Sequence, residues 1–143
     1  MIMDDLRPRT TLLRRSHLMQ GMTDRTLEAI GDLATEVQFA PGDAIVREGD
    51  PGDAFYVITS GNAVVKQNGT QLRELGEGDF FGEISLIDGQ PRSATITARD
   101  EVSALTLGRT EFQRLIDEHP SVRLELLMAL TERLRKVAPN PTD

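Results

Sequence analysis

Apolar residues recur along this chain at two different spacings, and the change between them divides the sequence. In TDRTLEAIGDLA (residues 23–34), Leu27, Ile30 and Leu33/Ala34 fall three or four positions apart, which predicts an amphipathic helix with Thr23 as its N-cap. From Glu36 to Leu107 the pattern shortens to β-branched or aromatic runs: VQF, AIV, AFYVI, NAVVKQ, TQLREL, SATITA and VSALTL. These are separated by PGD, EGDPGD, SG, NG and GEG, and nine of the twelve glycines lie between Gly42 and Gly89. Turn signals at intervals of roughly 8–10 residues predict many short antiparallel strands closing into a roll or barrel. Asn68-Gly69, inside VVKQNGTQLR, supplies the two positive-φ positions of a tight hairpin turn.

Helical spacing returns after Gly108. TEFQRLIDEH aligns Phe112, Leu115 and Ile116, with Thr110 and Gln113 at capping-box spacing. Pro120 then suits the first position of a second helix, in which Leu124, Leu127, Thr131, Leu134 and Ala138 lie near coiled-coil spacing. The reading is mainly β with flanking helices: an antiparallel β-roll or jelly-roll with one N-terminal helix and two C-terminal helices. Its units are a polar, Arg/Thr-rich arm or amphipathic lead-in over 1–15, one domain over 16–138 and a tail over 139–143. Within the domain the roll covers about 36–108 and the C-terminal helices about 110–138.

A formal charge of −7 argues against nucleic-acid binding, which relies on Lys and Arg to neutralise phosphates. With no cysteine there is no disulfide, thiolate metal site or iron–sulfur cluster. A metal-dependent enzyme on a small barrel would need clustered His and carboxylates. The two histidines, His17 and His119, both lie outside the strand region. Neither a Ser/His/Asp set nor a phosphate loop is present. The expectation is a non-enzyme without a metal. No apolar run approaches the ~20 residues of a bilayer span, and no apolar region follows Arg7, Arg9, Arg14 and Arg15, so a cytoplasmic domain without a membrane partner is expected.

One stretch concentrates the candidate chemistry: FGEISLIDGQPRSAT, residues 81–95. Gly82 allows a ligand close to the backbone. Arg92 offers a fork of donors matched to two phosphate oxygens, and Ser93 adds a hydroxyl. Glu83 repels a phosphate but accepts from a sugar hydroxyl. Together they describe a small phosphorylated sugar, against the plainer alternative of a surface ion pair worth ~0–1 kcal/mol.

This stretch resembles the phosphate-binding cassette of the cyclic-nucleotide-binding domain family, roughly F-G-E-[LI]-[AS]-L-x-x-x-x-P-R-x-A-T, without insertion or deletion. REGDPGDAFYVITSG (47–61) and LGEGDFFGE (75–83) stand in the family's order, and the resemblance covers about residues 16–138. It implies that Glu83 accepts from the ribose 2′-hydroxyl and that Arg92 pairs with the cyclic phosphate, helped by Ser93 and the amides of Ser93 and Ala94. It implies further that Gly82 and Ile84 line the ribose end, and that Val65, Leu72 and Leu75 pack near the base. Ser93 after the arginine favours cAMP, with cGMP the alternative; Val137 and Ala138 stand where a relative carries adenine-reading hydroxyls. The resemblance makes the last helix, which carries Arg133, a lid or a homodimer seam, moved by a cassette repacking through Leu86 and Ile87 toward an unidentified protein partner. The alternatives are a ligand-free structural or interaction module of the same fold, and a fragment of a larger cyclic-nucleotide-regulated protein.

Overall fold

The computed structural model describes residues 9–14, 19, 22–82 and 89–137. The alternating segments form β1 (Thr35–Phe39), β2 (Ala44–Val46), β3 (Ala54–Ser60), β4 (Ala63–Gln67), β5 (Thr70–Leu75), β6 (Phe80–Phe81), β7 (Thr95–Ala98) and β8 (Val102–Gly108). They pair antiparallel in two four-stranded sheets, ordered β1-β8-β3-β6 and β2-β7-β4-β5. Apart from the β4–β5 hairpin, successive strands alternate between the sheets, the winding of a jelly roll. Every expected strand segment is present; the two-residue β6 is too short to carry a period of its own. Asn68 (φ 52°) and Gly69 (φ 80°) make the tight β4–β5 turn.

The helices are α1 (Arg9–Arg14), α2 (Asp24–Leu33), α3 (Arg109–Glu118) and α4 (Pro120–Val137). Thr23 caps α2, its hydroxyl accepting from the Thr26 N–H at 3.2 Å. Pro120 opens α4 as expected. The Thr110–Gln113 capping box does not form. The chain runs straight from β8 into α3, so Gly108 is the N-cap, without a side-chain cap hydrogen bond.

Of the two expectations for the N-terminal segment, residues 9–14 fit the amphipathic lead-in rather than a loose arm. Leu12 and Leu13 are buried, and Arg9 Nη1 donates to the Gly31 and Ala34 carbonyls at 2.6 and 2.7 Å, closing the C-terminal end of α2. Arg14 holds the other end through the Met22 carbonyl and Asp24. A Cβ on Gly31 would lie 3.2 Å from Arg9 Cβ, so glycine is what lets α1 sit this close.

β3 explains where the core sits. Phe55 and Val57 face the helices, joining Leu13, Leu27, Ile30, Phe112 and Leu115 in one apolar cluster. Tyr56 and Ile58 face the other sheet, where Ile45, Val65, Leu75, Phe81 and Ile96 form a second. The first sheet is therefore covered on both faces, by helices and by the second sheet. Among the described residues, the second sheet is covered on one face only.

Candidate functional site

Arg92 lies in the segment leading into β7, and it is 6% exposed. A buried guanidinium is costly unless its donors are used. Here Nη2 donates to the Ala54 carbonyl at 2.6 Å and Nη1 to the Gly82 carbonyl at 3.0 Å. Arg92 is therefore buried rather than exposed, and two of its hydrogen bonds go to main-chain carbonyls. Its backbone is fixed too, with Gly49 N–H donating to the Arg92 carbonyl at 2.9 Å and Arg92 N–H to the Asp50 carbonyl at 2.8 Å.

Gly82 makes this packing possible. Its φ of +93° suits glycine, and a Cβ there would stand 2.5 Å from the Ala54 oxygen and 2.8 Å from Arg92 Nη1. Ser93 is exposed, its carbonyl accepting from Gln67 Nε2 at 3.1 Å; Ala94 is half-buried beside the inter-sheet cluster. Glu83 and Ile84, with Leu86, Ile87 and Ala138, lie outside the described residues, as do the side chains of Arg133 and Val137.

A pocket of about 290 Å³ opens beside Arg92, bounded by β2, Arg47, the Asp50–Pro51 turn, Asp53 and Tyr56. Tyr56 stacks on Phe81 with ring centroids 5.0 Å apart and meets Phe39 edge-on at 6.4 Å. Burial pushes its hydroxyl above the usual tyrosine range; the Arg92 charge opposes this and the Asp53 carboxylate adds to it. The site therefore joins a fixed cation, flanking carboxylates and a neutral phenol. That set can hold one compact anion against an aromatic wall.

Val65 and Leu75 are buried between the sheets, whereas Leu72 is 55% exposed. Residues 66–74 at the β4–β5 end, Leu72 among them, are exposed. None of the three lines the pocket at Arg92. Sequence reasoning missed Tyr56 and the Ala54 carbonyl. The first looked like an ordinary strand aromatic, and main-chain acceptors leave no mark in a sequence.

A family model described as "Cyclic nucleotide-binding domain" matches residues 36–119. A cAMP-dependent protein kinase regulatory subunit from Hypocrea atroviridis is 39% identical over 99 residues, covering 69% of this chain and 21% of that protein. A CRP-like cAMP-activated global transcriptional regulator from Mycobacterium tuberculosis is 31% identical over 137 residues, covering 92% of this chain and 61% of that protein. The chain thus spans about a fifth of the former's length and under two thirds of the latter's. Among solved structures, the N-terminal domain of a transcriptional regulator from Streptomyces coelicolor A3(2) superposes with TM-score 0.78 at 36% identity, covering 92% of this chain and 98% of that one. The regulatory domain of Toxoplasma gondii PKA with cAMP gives 0.75 at 31% identity, covering 87% and 49%.

Proposed function

Because the chain belongs to the cyclic nucleotide-binding domain family, we propose that it is a regulatory module binding cAMP, with cGMP the alternative ligand, beside Arg92. The observation that carries this reading is the buried Arg92 guanidinium, held by the Ala54 and Gly82 carbonyls at the edge of a pocket. A single fixed cation suits the single negative charge of a cyclic phosphodiester. Names of relatives support the ligand, two curated proteins and one bound structure being described by cAMP.

In this reading Arg92 pairs with the phosphate, aided by the Ser93 hydroxyl and the amides of Ser93 and Ala94. Gly82 and Ile84 line the ribose, and Glu83 accepts from its 2′-hydroxyl. Val65 and Leu75 form the apolar floor behind the base. No catalytic step is assigned, since the relatives named are regulatory subunits and transcriptional regulators. Among the described residues no group of three or more His, Cys, Asp and Glu could hold a metal ion.

The output is a change in the α3–α4 arrangement, read by a protein partner in the cytoplasm. Leu124, Leu127 and Met128 stand 61%, 55% and 63% exposed on α4, which suits a helix that closes as a lid or pairs with a second copy.

Thermal unfolding with cAMP, cGMP, 5′-AMP and no ligand tests the reading. A ligand at 100 times its dissociation constant adds about 2.7 kcal/mol, a shift of roughly 3–6 °C for a domain this size. Glu83→Ala reduces that shift and weakens rejection of 2′-deoxy-cAMP. Flat melting curves for both cyclic nucleotides would instead favour a ligand-free module.

A further inference from the structure

The strip that leads from the β2–β3 connection into the first residue of β3, residues 49–54, is hydrogen-bonded along both sides. On one side it meets Arg92, through Gly49 N–H, the Asp50 carbonyl and the Ala54 carbonyl. On the other it meets the first residue of α3: Arg109 Nη2 donates to the Gly52 carbonyl at 2.6 Å, and Arg109 N–H to the Asp53 carbonyl at 3.0 Å. Three consecutive carbonyls, of residues 52, 53 and 54, are thus taken in turn by the Arg109 side chain, the Arg109 backbone and the Arg92 side chain.

Peptide planarity gives that sequence a consequence. Fixing two successive carbonyls fixes the planes of both peptide units, including the one that ends at the Ala54 nitrogen. Two torsions, φ and ψ of Ala54, then remain before the Ala54 carbonyl, and the β3–β8 pairing of Ala54 with Gly108 restrains them. Arg109 follows Gly108 directly, so strand pairing and arginine contact act on the strip from one place. A guanidinium is a planar fork, and the direction of the carbonyl it grips sets the plane it offers to an anion.

We infer that Arg109 is a positioning residue for Arg92: it holds the 52–53 carbonyls and so aims the Ala54 carbonyl that orients the anion-binding guanidinium. This role rests on reading Arg92 as the phosphate anchor. It also joins the pocket to the first turn of α3 by a main-chain route that does not pass through residues 83–88.

The test uses Arg109→Gln and Arg109→Lys in the whole chain. In Arg109→Gln without nucleotide, hydrogen exchange at the Gly49 and Arg92 amides accelerates several-fold, while the β4–β5 hairpin amides keep their rates; Arg109→Lys, still able to reach the Gly52 carbonyl, falls between. With nucleotide, the two phosphorothioate diastereomers of cAMP are compared, since sulfur replaces a different exocyclic oxygen in each. Arg109→Gln narrows the affinity ratio between them several-fold, because a misaimed fork no longer tells the two oxygens apart. Unchanged exchange at Gly49 and Arg92, acceleration at every amide alike, or an equal loss for both diastereomers overturns the inference. A wild-type chain that binds no cyclic nucleotide would defeat the functional reading instead, and the exchange rates would still decide whether Arg109 holds the strip.

Discussion

Arg92 and the outer face of α4 depart from the usual partition of side chains in opposite senses. The first is a permanent cation, 6% exposed; the second sets Leu124, Leu127 and Met128 more than half in water. Elsewhere the partition is ordinary: both apolar clusters consist of aliphatic and aromatic side chains, and Thr26 is the only other polar residue buried to this degree among those described. The contrast separates two kinds of function. A buried cation gripped by main-chain carbonyls is already organised, which suits the ligand-selecting role proposed for it. An exposed apolar face has not yet acquired its contact, and it suits a surface that changes partners.

The sharpest way to break this contrast is Arg92→Ala. If the cation is the anchor, nucleotide-induced stabilisation disappears in thermal unfolding, a loss of at least about 100-fold in affinity for a charge-assisted, bidentate contact. Without ligand the same change still destabilises, because the Ala54 and Gly82 carbonyls lose their donors, at about 1–3 kcal/mol for a buried group left unsatisfied. Retained cAMP stabilisation in this variant would make Arg92 a structural residue.

Leu13→Ala tests the ordinary part of the molecule. The side chain is fully buried where α1 meets the helix-facing cluster, so unfolding by urea should show a loss of about 2–5 kcal/mol. A loss under 1 kcal/mol would mean that α1 is not docked, and that residues 1–15 behave as the arm first expected.

The two regions also differ in how far they could be read from sequence. The strands were legible because turn residues punctuate them and the β4–β5 turn needs Asn-Gly. The terminal helices were legible from apolar spacing and Pro120. Arg92 stood out because it follows Pro91 in a recognisable motif, but its burial did not, since main-chain oxygens are among the groups that hold it. α1 was obscured because RTTLLR is polar at four of its six positions; Gly31, twenty residues away, is what admits it. The exposure of Leu72 was not legible, because alternation says which residues share a face, not whether anything covers that face.

Smaller effects sharpen the picture. Gly82→Ala sets a Cβ against the Ala54 oxygen and Arg92 Nη1 at a φ of +93°, which costs about 1–3 kcal/mol of backbone strain and displaces the guanidinium. Weaker cAMP stabilisation together with a lower unliganded melting point is the expected result; an unchanged nucleotide response would show that Arg92 tolerates a different plane. On α4, Leu127→Gln should alter unliganded stability by no more than about 0.5 kcal/mol, as for a surface site. A loss of several kcal/mol would place that face in a buried contact, and gel filtration with and without cAMP would then separate a lid from a dimer seam.

The smallest expected effect concerns Tyr56, which sits on the wall between the buried cation and the aromatic stack. Its hydroxyl titrates above the ordinary value of 10.0 in the folded chain, chiefly through burial, with Asp53 adding to the shift and Arg92 opposing it. Below that value both folded and unfolded chains hold the proton, and the stabilisation is fully present. As pH rises past it, the unfolded chain releases the proton first, so stability falls until the folded group ionises too. Tyr56→Phe removes this contribution, so its stability should decline less steeply above pH 10 than that of the wild type. Bound nucleotide brings a negative charge beside Arg92, weakening the larger of the two influences that lower the Tyr56 value, the other being its hydrogen bond with Thr106. The wild-type decline should then steepen with cAMP, whereas Tyr56→Phe should show no such change from this group. Identical alkaline slopes for the two proteins, with and without nucleotide, would place the phenol outside the electrostatic reach of the pocket.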